Sequence, residues 1–306
     1  MSEIVAAPGG RGEAQALVRR DDAGFWRSLR RFVRSSPTGT VAACFLILVA
    51  LVAIFAGQLV PFDPIEANYG AARLAPNAEH LFGTDHMGRD TLARVFFGAR
   101  ISLVVALTSV FVGDSIGLCW GVVSGYLGGR FDLISQRILD VMMAFPGLIL
   151  AMLLLSGVGA GLSTVILAIA VTRIPLSTRV IRSVALSVKE YAYVEAAKTV
   201  GATTPRIMLR HIAPQCIAPF LVVATANIGV AMVTEAALSF LGVGVPPPAP
   251  SWGNMLGGIL AETFRPPWWL VVFPGLALTM TVLCANLFGD AIRDYLDPKM
   301  KGRVIE

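Results

Sequence analysis

Charged residues are scarce in this chain of 306 residues: Asp, Glu, Lys and Arg make up 15% of it, while 55% of its residues are hydrophobic. A soluble globular domain normally carries about 25% charged residues. The composition therefore excludes an ordinary soluble protein of this length. It predicts a chain that crosses a membrane several times.

Cysteine and histidine are also rare, which bears on disulfides and metal sites. The four cysteines are Cys44, Cys119, Cys216 and Cys284. They lie within or beside apolar segments and form no C-x-x-C motif, so neither disulfides nor a structural zinc site is predicted. The three histidines, His80, His86 and His211, are not at ligand spacing, although the first two share a loop. We therefore predict no metal site.

Motifs that hold nucleotides or build hydrolytic active sites are missing as well. No G-x-x-x-x-G-K-[ST] occurs, so the chain cannot bind ATP through a P-loop. Neither H-E-x-x-H nor an acidic pair at helical spacing within one apolar segment is present. An enzyme is therefore not predicted, and the energy for any active transport has to come from another chain.

Six apolar segments are long enough to cross a bilayer, which takes about 20 helical residues. They are residues 40–60, 101–127, 133–157, 161–181, 217–243 and 269–289. Since no small-residue cleavage site precedes the first segment, we interpret it as a retained helix. The sequence predicts an all-α membrane protein with six transmembrane helices. It divides into a tail (1–39), a first helix (40–60), a loop (61–100), a five-helix core (101–289) and a second tail (290–306).

Lys and Arg are distributed unevenly between the two sides of the predicted spans. With the N-terminus in the cytoplasm, the cytoplasmic segments carry eighteen of them and the outer loops, 61–100 and 244–268, carry five. The positive-inside rule then places both termini and residues 182–215 in the cytoplasm. This asymmetry, together with anionic lipid headgroups, explains the net charge of +5. A nucleic-acid partner is not predicted.

Residues 182–215 form a polar, basic stretch between two apolar segments. An Ala-rich run without Pro or Gly predicts a short helix over 190–200, which Gly201 ends in a left-handed conformation. Thr204 as N-cap and Pro205 as first helical residue predict a second short helix, closed by Pro214 at the start of the fifth span. From the residues alone, this segment either contacts a soluble partner or lies on lipid as an amphipathic element.

The motif Glu195-Ala196-Ala197, followed by Gly201 and Pro214, resembles the EAA loop of ABC-importer permease subunits. Other blocks resemble the dipeptide/oligopeptide/nickel permeases, in particular the second of their two permease subunits. They are residues 81–90 (LFGTDHMGRD), 98–103 (GARISL), 235–242 (EAALSFLG), 250–253 (PSWG) and 286–290 (NLFGD). The resemblance covers residues 30–300 and implies the type I ABC importer transmembrane fold.

The resemblance also implies partners and an energy source. A homologous permease subunit would complete a heterodimer, two cytoplasmic ATPase subunits would bind ATP and Mg²⁺, and an extracytoplasmic binding protein would deliver the substrate. The ATPase-coupling residues would be Glu195, Ala196, Ala197, Gly201, Arg206 and Pro214. This chain itself would bind no cofactor and would lie in the bacterial cytoplasmic (inner) membrane.

Substrate identity is less constrained by the resemblance than the subunit type is. It favours dipeptides or oligopeptides, with nickel, glutathione and opine-like compounds as alternatives. A secondary transporter, the alternative from another class, would show paired interrupted helices in two halves and an ion relay. No such symmetry is evident in the sequence, and the EAA loop would then be unexplained.

Three charged residues within the predicted spans, Asp114, Arg173 and Glu235, are candidate pathway or gate residues because charges in the bilayer tend to face protein or water. The alternative is a buried network that fixes helix packing, which is favoured for Glu235. In the first outer loop, Asp85, Arg89 and Asp90 are candidates for docking the binding protein, although a local salt-bridged turn is favoured there.

Small residues and prolines mark the helices that pack closely or bend. Glycines recur every fourth residue at 113, 117, 121, 125 and 129, a seam that allows close helix approach in lipid. Pro146 and Pro175 are expected to kink the third and fourth spans. Either feature suits static packing or a moving gate.

Overall fold

The structure is a computed structural model that describes residue 30, residues 32–262 and residues 265–296. Most of the predicted N-terminal tail and the C-terminal tail from residue 297 onward lie outside this part. The described chain forms helices and short turns, with one isolated bridge between Thr84 and Asp90. The helices are α1 Pro37–Leu59, α2 Thr91–Leu127, α3 Gly129–Met143, α4 Gly147–Val158, α5 Leu162–Val188, α6 Ala192–Thr199, α7 Thr204–Ile207, α8 Ala213–Phe240, α9 Trp252–Glu262 and α10 Trp268–Leu296.

The third predicted span, residues 133–157, is not one continuous helix in the structure. It consists of α3 and α4, which meet at an angle of 90°. Pro146 is the N-cap of α4. A proline disfavours helical geometry in the residue before it and lacks an N–H of its own, which explains the break. The kink expected at Pro146 is therefore confirmed, and it is large.

Helices α2 and α5 run side by side in the same direction, joined by the predicted glycine seam. An added Cβ at Gly113 would lie 2.4 Å from the carbonyl oxygen of Ala170, and one at Gly125 would lie 2.7 Å from the Cβ of Ala185. The other two glycines of the seam, Gly117 and Gly121, approach α5 about as closely. Because α2 and α5 are parallel, the chain between them must return across the bundle. The bent pair α3–α4 therefore counts as one crossing, which gives six crossings in the part of the chain that the structure describes.

Gly129 was predicted to extend this seam but does not. Its φ is +56° and an added Cβ would meet no atom within 4 Å. It follows Gly128, whose φ is +64°, in the tight connection from α2 to α3. Only glycine adopts such angles readily, so this pair serves the turn and not the helix contact.

Two helix boundaries differ from the predicted spans for local reasons. Helix α2 begins ten residues before residue 101, at Thr91, since the Asp90 carboxylate accepts the backbone N–H of Ala93 at 2.8 Å. Helix α5 continues seven residues past 181, to Val188, so Arg182 belongs to this helix. Polar residues near the ends of a span lower its hydropathy without ending its backbone hydrogen bonding.

The predicted break at Pro214 is also wrong. Thr204–Phe240 is one helix of 37 residues, in which a π-helical turn, Met208–Ile212, joins α7 to α8. Pro214 is the second residue after this turn, and Pro219 lies inside α8. A widened turn accommodates the proline ring and its missing N–H, which would otherwise interrupt the α-helical pattern.

Candidate functional site

The EAA segment, residues 182–215, contains the predicted helix, turn and helix. Helix α6 spans eight residues, and Gly201 follows it with a φ of +87°. The Gly201 N–H donates to the Lys198 carbonyl at 2.9 Å, which satisfies one of the last free carbonyls of the helix. The N-cap of α7 is Thr203, one residue before the predicted Thr204. The prediction of a short helix that Gly201 ends is confirmed, whereas the second helix is the beginning of the 37-residue helix Thr204–Phe240 and not a separate short helix.

The inner side of the EAA segment is apolar and holds it against two spans. Val194, Ile207 and Ile212 are buried in one hydrophobic cluster with Val122 of α2 and Ile181 of α5. Burying an aliphatic side chain stabilises a structure by about 1.5–3 kcal/mol. Three such anchors make the segment a fixed extension of α2 and α5, so a force applied to it reaches both helices.

The outer side of the EAA segment carries the predicted coupling residues. Glu195, Ala196, Gly201, Arg206 and Pro214 are exposed, and Ala197 is half-buried. In the described part of the chain, the Glu195 carboxylate has no hydrogen bond or ion pair. An exposed carboxylate on a helix that is anchored from behind is well placed to meet a basic group of another protein.

Sequence reasoning missed two apolar residues on this surface. Val200 is 88% exposed and Leu209 is 73% exposed. Exposed apolar side chains within a polar segment outside the spans are typical of a protein contact. The available signal was their position, because both lie near basic residues, Lys198 and Arg210, in a segment where no span is predicted.

Two arginines of α5 form ion pairs with α3 next to the EAA segment. The Arg182 guanidinium donates from Nε and from one terminal nitrogen to the two oxygens of Asp132, both at 2.5 Å. Asp132 also accepts the hydroxyl of Ser124 at 2.6 Å, and Arg179 pairs with Asp140. Helix α3, the part of the broken span before the bend, is thereby held on α5 by charged hydrogen bonds of defined geometry.

Asp132→Asn and Arg182→Gln are each expected to lower the free energy of unfolding by about 1–2 kcal/mol, because the pair is bidentate and partly buried. The double variant should cost less than the sum, with a coupling energy of about 0.5–3 kcal/mol. Denaturant titration in detergent of the parent subunit, the two single variants and the double variant measures this double-mutant cycle. Strict additivity would show that the two side chains do not act as a pair.

Asp114 lies where α2, α5 and α8 meet, and it has no solvent access. Its two carboxylate oxygens accept the Asn227 amide at 3.0 and 3.1 Å. The Ser177 hydroxyl donates to the Asp114 backbone carbonyl at 3.4 Å. Arg173, half-buried on α5, supplies the nearby positive charge. Within this subunit Asp114 therefore joins three helices, and a pathway or gate role for Asp114 and Arg173 stays a prediction.

Glu235 is likewise fully buried. Its carboxylate accepts the hydroxyls of Ser239 at 2.8 Å and of Ser102 at 3.1 Å, and Ser251 also bonds to it. These partners lie on α2, on α8 and in the residue before α9, so the Glu235 carboxylate links these three parts of the chain. The geometry is that of the packing network favoured from the sequence, and a gate role for Glu235 stays a prediction.

The loop before α2 has the predicted salt-bridged turn. Arg89 Nε donates to Asp85 at 2.7 Å, and Asp90 bonds to His80 Nδ1 at 2.9 Å as well as capping α2. All four side chains are buried. Because these side chains are buried, they stabilise the loop more than they offer charge to a partner protein. A docking role for Asp85, Arg89 and Asp90 stays a prediction.

Two arrangements that would suggest other chemistry are not supported. In residues 32–258 and 265–296, no three His, Cys, Asp or Glu side chains are grouped as a metal ion would require. Residues 113–117 (GDSIG) have the spacing G-x-S-x-G but lie in the middle of α2. A nucleophile elbow needs a strand-to-helix turn, so these residues serve the seam with α5.

Comparison with known proteins agrees with this architecture. Residues 117–302 match the family described as the binding-protein-dependent transport system inner membrane component, and residues 24–76 match the N-terminal transmembrane domain of oligopeptide transport permease C. The solved inward-facing structure of the MetNI methionine ABC transporter aligns with a TM-score of 0.52 and 20% identity, covering 67% of this chain and 96% of that one. The fold is thus that of a type I importer permease.

Curated relatives resemble the chain over most of its length. The glutathione transport system permease protein GsiD of Escherichia coli O1:K1 is 42% identical over 279 residues, which cover 91% of this chain and 90% of the relative. GsiD of Shigella boydii serotype 4 is 41% identical over the same shares. The family match spans more than half of the chain. The chain therefore belongs to the binding-protein-dependent inner membrane components, and is a permease subunit of an ABC importer of the dipeptide/oligopeptide/nickel family.

Proposed function

We propose that this subunit imports short peptides, with glutathione as the first candidate. The observation that carries the proposal is the 42% identity, over 91% of the chain, to permeases named for glutathione transport. The match of residues 24–76 to an oligopeptide permease domain supports the same chemical class. Glutathione and oligopeptides are both peptides with a free amino group and free carboxyl groups. One pathway whose lining accommodates such groups would therefore suit either.

The partners follow from the subunit type and from what this chain lacks. Permeases of this family work with a second permease, an ATPase and a binding protein. We place a homologous but different permease beside this one and two ATPase subunits beneath the pair. ATP and Mg²⁺ would bind to the ATPases, in keeping with the missing P-loop. Both termini and the EAA segment would face the cytoplasm, as the Lys and Arg distribution predicts.

Alternating access would transmit ATP binding to the pathway through the EAA segment. Closure of the ATPases brings the EAA segments of the two permeases together. Because Val194, Ile207 and Ile212 fix this segment to α2, α5 and α8, the spans move with it and open the pathway outward. The binding protein then releases its substrate, and hydrolysis returns the spans to the inward-open arrangement.

The substrate is tested with the complete importer reconstituted in proteoliposomes with its binding protein. We expect glutathione to raise ATP hydrolysis by about tenfold or more over the level without substrate, as a ligand that selects the transport-competent state should. Dipeptides, longer peptides and nickel serve as competitors in the same assay. Stimulation by nickel alone would contradict a peptide substrate, while loss of all stimulation would contradict the importer assembly.

A further inference from the structure

A cavity of about 190 Å³ lies at the end of α2 opposite to the EAA segment. It is bordered by the loop before α2, the first turn of α2, the loop after α8, helix α9 and the start of α10. Its polar lining consists of Asp85, His86, Arg89, Thr91, Arg94 and Asn254. None of these residues has a role in the coupling described above.

The charges around the cavity do not balance. Arg89 and Arg94 are 8% and 6% exposed, and Asp85 is 6% exposed. Arg89 Nε bonds to Asp85 Oδ2 at 2.7 Å, and Arg94 Nε lies 3.6 Å from the same oxygen. Among the side chains that the structure describes, two guanidinium groups share one carboxylate, which leaves a positive charge beside the cavity. Since an uncompensated buried charge is costly, the site favours an anion.

Several hydrogen-bond donors at the cavity are unused. Some groups at the cavity are already paired. Asp85 Oδ1 accepts the backbone N–H groups of Met87 and Arg89, and Arg94 Nη1 donates to the Pro64 carbonyl at 2.9 Å. Within the described part of the chain, the terminal nitrogens of Arg89 and Nη2 of Arg94 have no acceptor. The Thr91 hydroxyl, fully buried, has no hydrogen-bond partner there either. A buried donor such as the Thr91 hydroxyl is normally paired, and the free terminal nitrogens of the two arginines lie beside it, so this cluster is suited to an oxygen ligand.

Size and surroundings restrict the ligand further. Pockets for whole small molecules measure about 300–1,000 Å³, so this cavity fits a group no larger than a side chain. Met87, Met255 and Leu270 provide apolar walls, and exclusion of water strengthens charged hydrogen bonds. Arginine recognises carboxylates with paired N–H donors.

We propose that this cavity binds a single carboxylate group through Arg89, Arg94 and Thr91. The carboxylate belongs either to a small free acid or to an Asp or Glu side chain of a protein that docks at this end of the subunit. The proposal concerns this chain alone. It does not depend on which substrate the importer carries.

Binding is tested by titrating the purified full-length chain in detergent with propionate and with propionamide, its neutral isostere. Tryptophan fluorescence reports on the site, since Trp269 is adjacent to Leu270 and bonds to the Thr84 carbonyl. We expect a saturable change with propionate and affinity at least about tenfold weaker for propionamide, which lacks the charge. Equal responses to the two compounds would overturn the proposal.

A variant that fills the site from within provides the second test. Gly258 lines the cavity, and an added Cβ there would meet no atom within 4 Å. Gly258→Glu places a carboxylate at the arginines and is expected to weaken propionate binding by about tenfold or more. Gly258→Gln, of equal size but neutral, should change the affinity by less than about threefold. Propionate affinity in Gly258→Glu equal to that of the parent chain would refute a charge-specific site.

The source of the carboxylate is decided with blocked tripeptides. Ac-Gly-Glu-Gly-NH₂ carries its only carboxylate on a side chain, and Ac-Gly-Gln-Gly-NH₂ is the neutral control. Binding of the glutamate peptide at least as tight as that of propionate assigns the cavity to an acidic side chain of a docking protein. Binding of propionate alone assigns it to a free acid, and binding of neither contradicts the proposal.

Discussion

Glu195→Arg is expected to reduce substrate transport by about 100-fold, equivalent to about 3 kcal/mol, as expected when a buried interfacial charge pair is broken and reversed. The subunit should still fold and insert, because the Glu195 side chain is exposed and bonds to no other residue that the structure describes. Its backbone carbonyl accepts the Thr199 hydroxyl at 3.0 Å, and this contact survives the substitution. Uptake by proteoliposomes and the amount of ATPase that copurifies with the subunit are the two measurements.

The matched control is Glu66→Arg, which makes the same charge change in the exposed loop before α2, at the opposite end of the helices. It should leave transport within about twofold of the parent chain, as surface substitutions usually do. Normal transport in Glu195→Arg would refute the assignment of this residue to the ATPase contact. Equal loss in both variants would point to net charge and not to position.

Gly113→Leu is expected to prevent stable folding of the subunit. The Cβ alone would lie 2.4 Å from the Ala170 carbonyl oxygen, an atom of the α5 backbone that cannot rotate away. Overpacking typically lowers the free energy of unfolding by about 1–3 kcal/mol. Separating two helices along a four-glycine seam should cost about 3 kcal/mol or more. The fraction of subunit that remains monodisperse in detergent, and its unfolding midpoint, measure the effect.

Gly275→Leu in α10 is the control for this substitution. Gly275 also lies inside a long apolar helix, but an added Cβ would meet no atom within 4 Å. The two variants share the original residue, a position inside a helix and the added volume, and the close contact with α5 exists only at Gly113. A folded Gly113→Leu subunit with an unchanged unfolding midpoint would show that the α2–α5 contact is not the close one described.

Local sequence signals predicted much of this architecture. The two helices around Gly201 follow from chain-local rules, since a left-handed glycine and a proline near a helix start act on their immediate neighbours. The spans follow from apolar length alone. The spacing of Gly113 to Gly125 identified a seam, although it could not identify α5 as the partner, because that depends on the parallel arrangement of helices far apart in sequence.

Other features depend on distant contacts and could not be read from one chain segment. The charge of Asp114 within a span is visible in the sequence, but no local signal identifies its partner Asn227, which lies more than one hundred positions away. The 90° bend between α3 and α4 exceeds what a proline alone dictates. Two Asp–Arg pairs with α5 hold α3 in place, and these pairs join residues about forty to fifty positions apart.

The continuity of α7 with α8 has a geometric consequence for how a small displacement spreads. From Thr204 to Glu235 the helix extends about 46 Å at 1.5 Å per residue, and the bonds of Glu235 to Ser102 and Ser251 hold its far part against α2 and α9. As a rigid rod turning about that point, it needs a rotation of only about 6° to shift Thr204 by about 5 Å. The helix thus acts as a lever with its fulcrum near one face of the bundle, and residues near the fulcrum stay almost still while the opposite end moves.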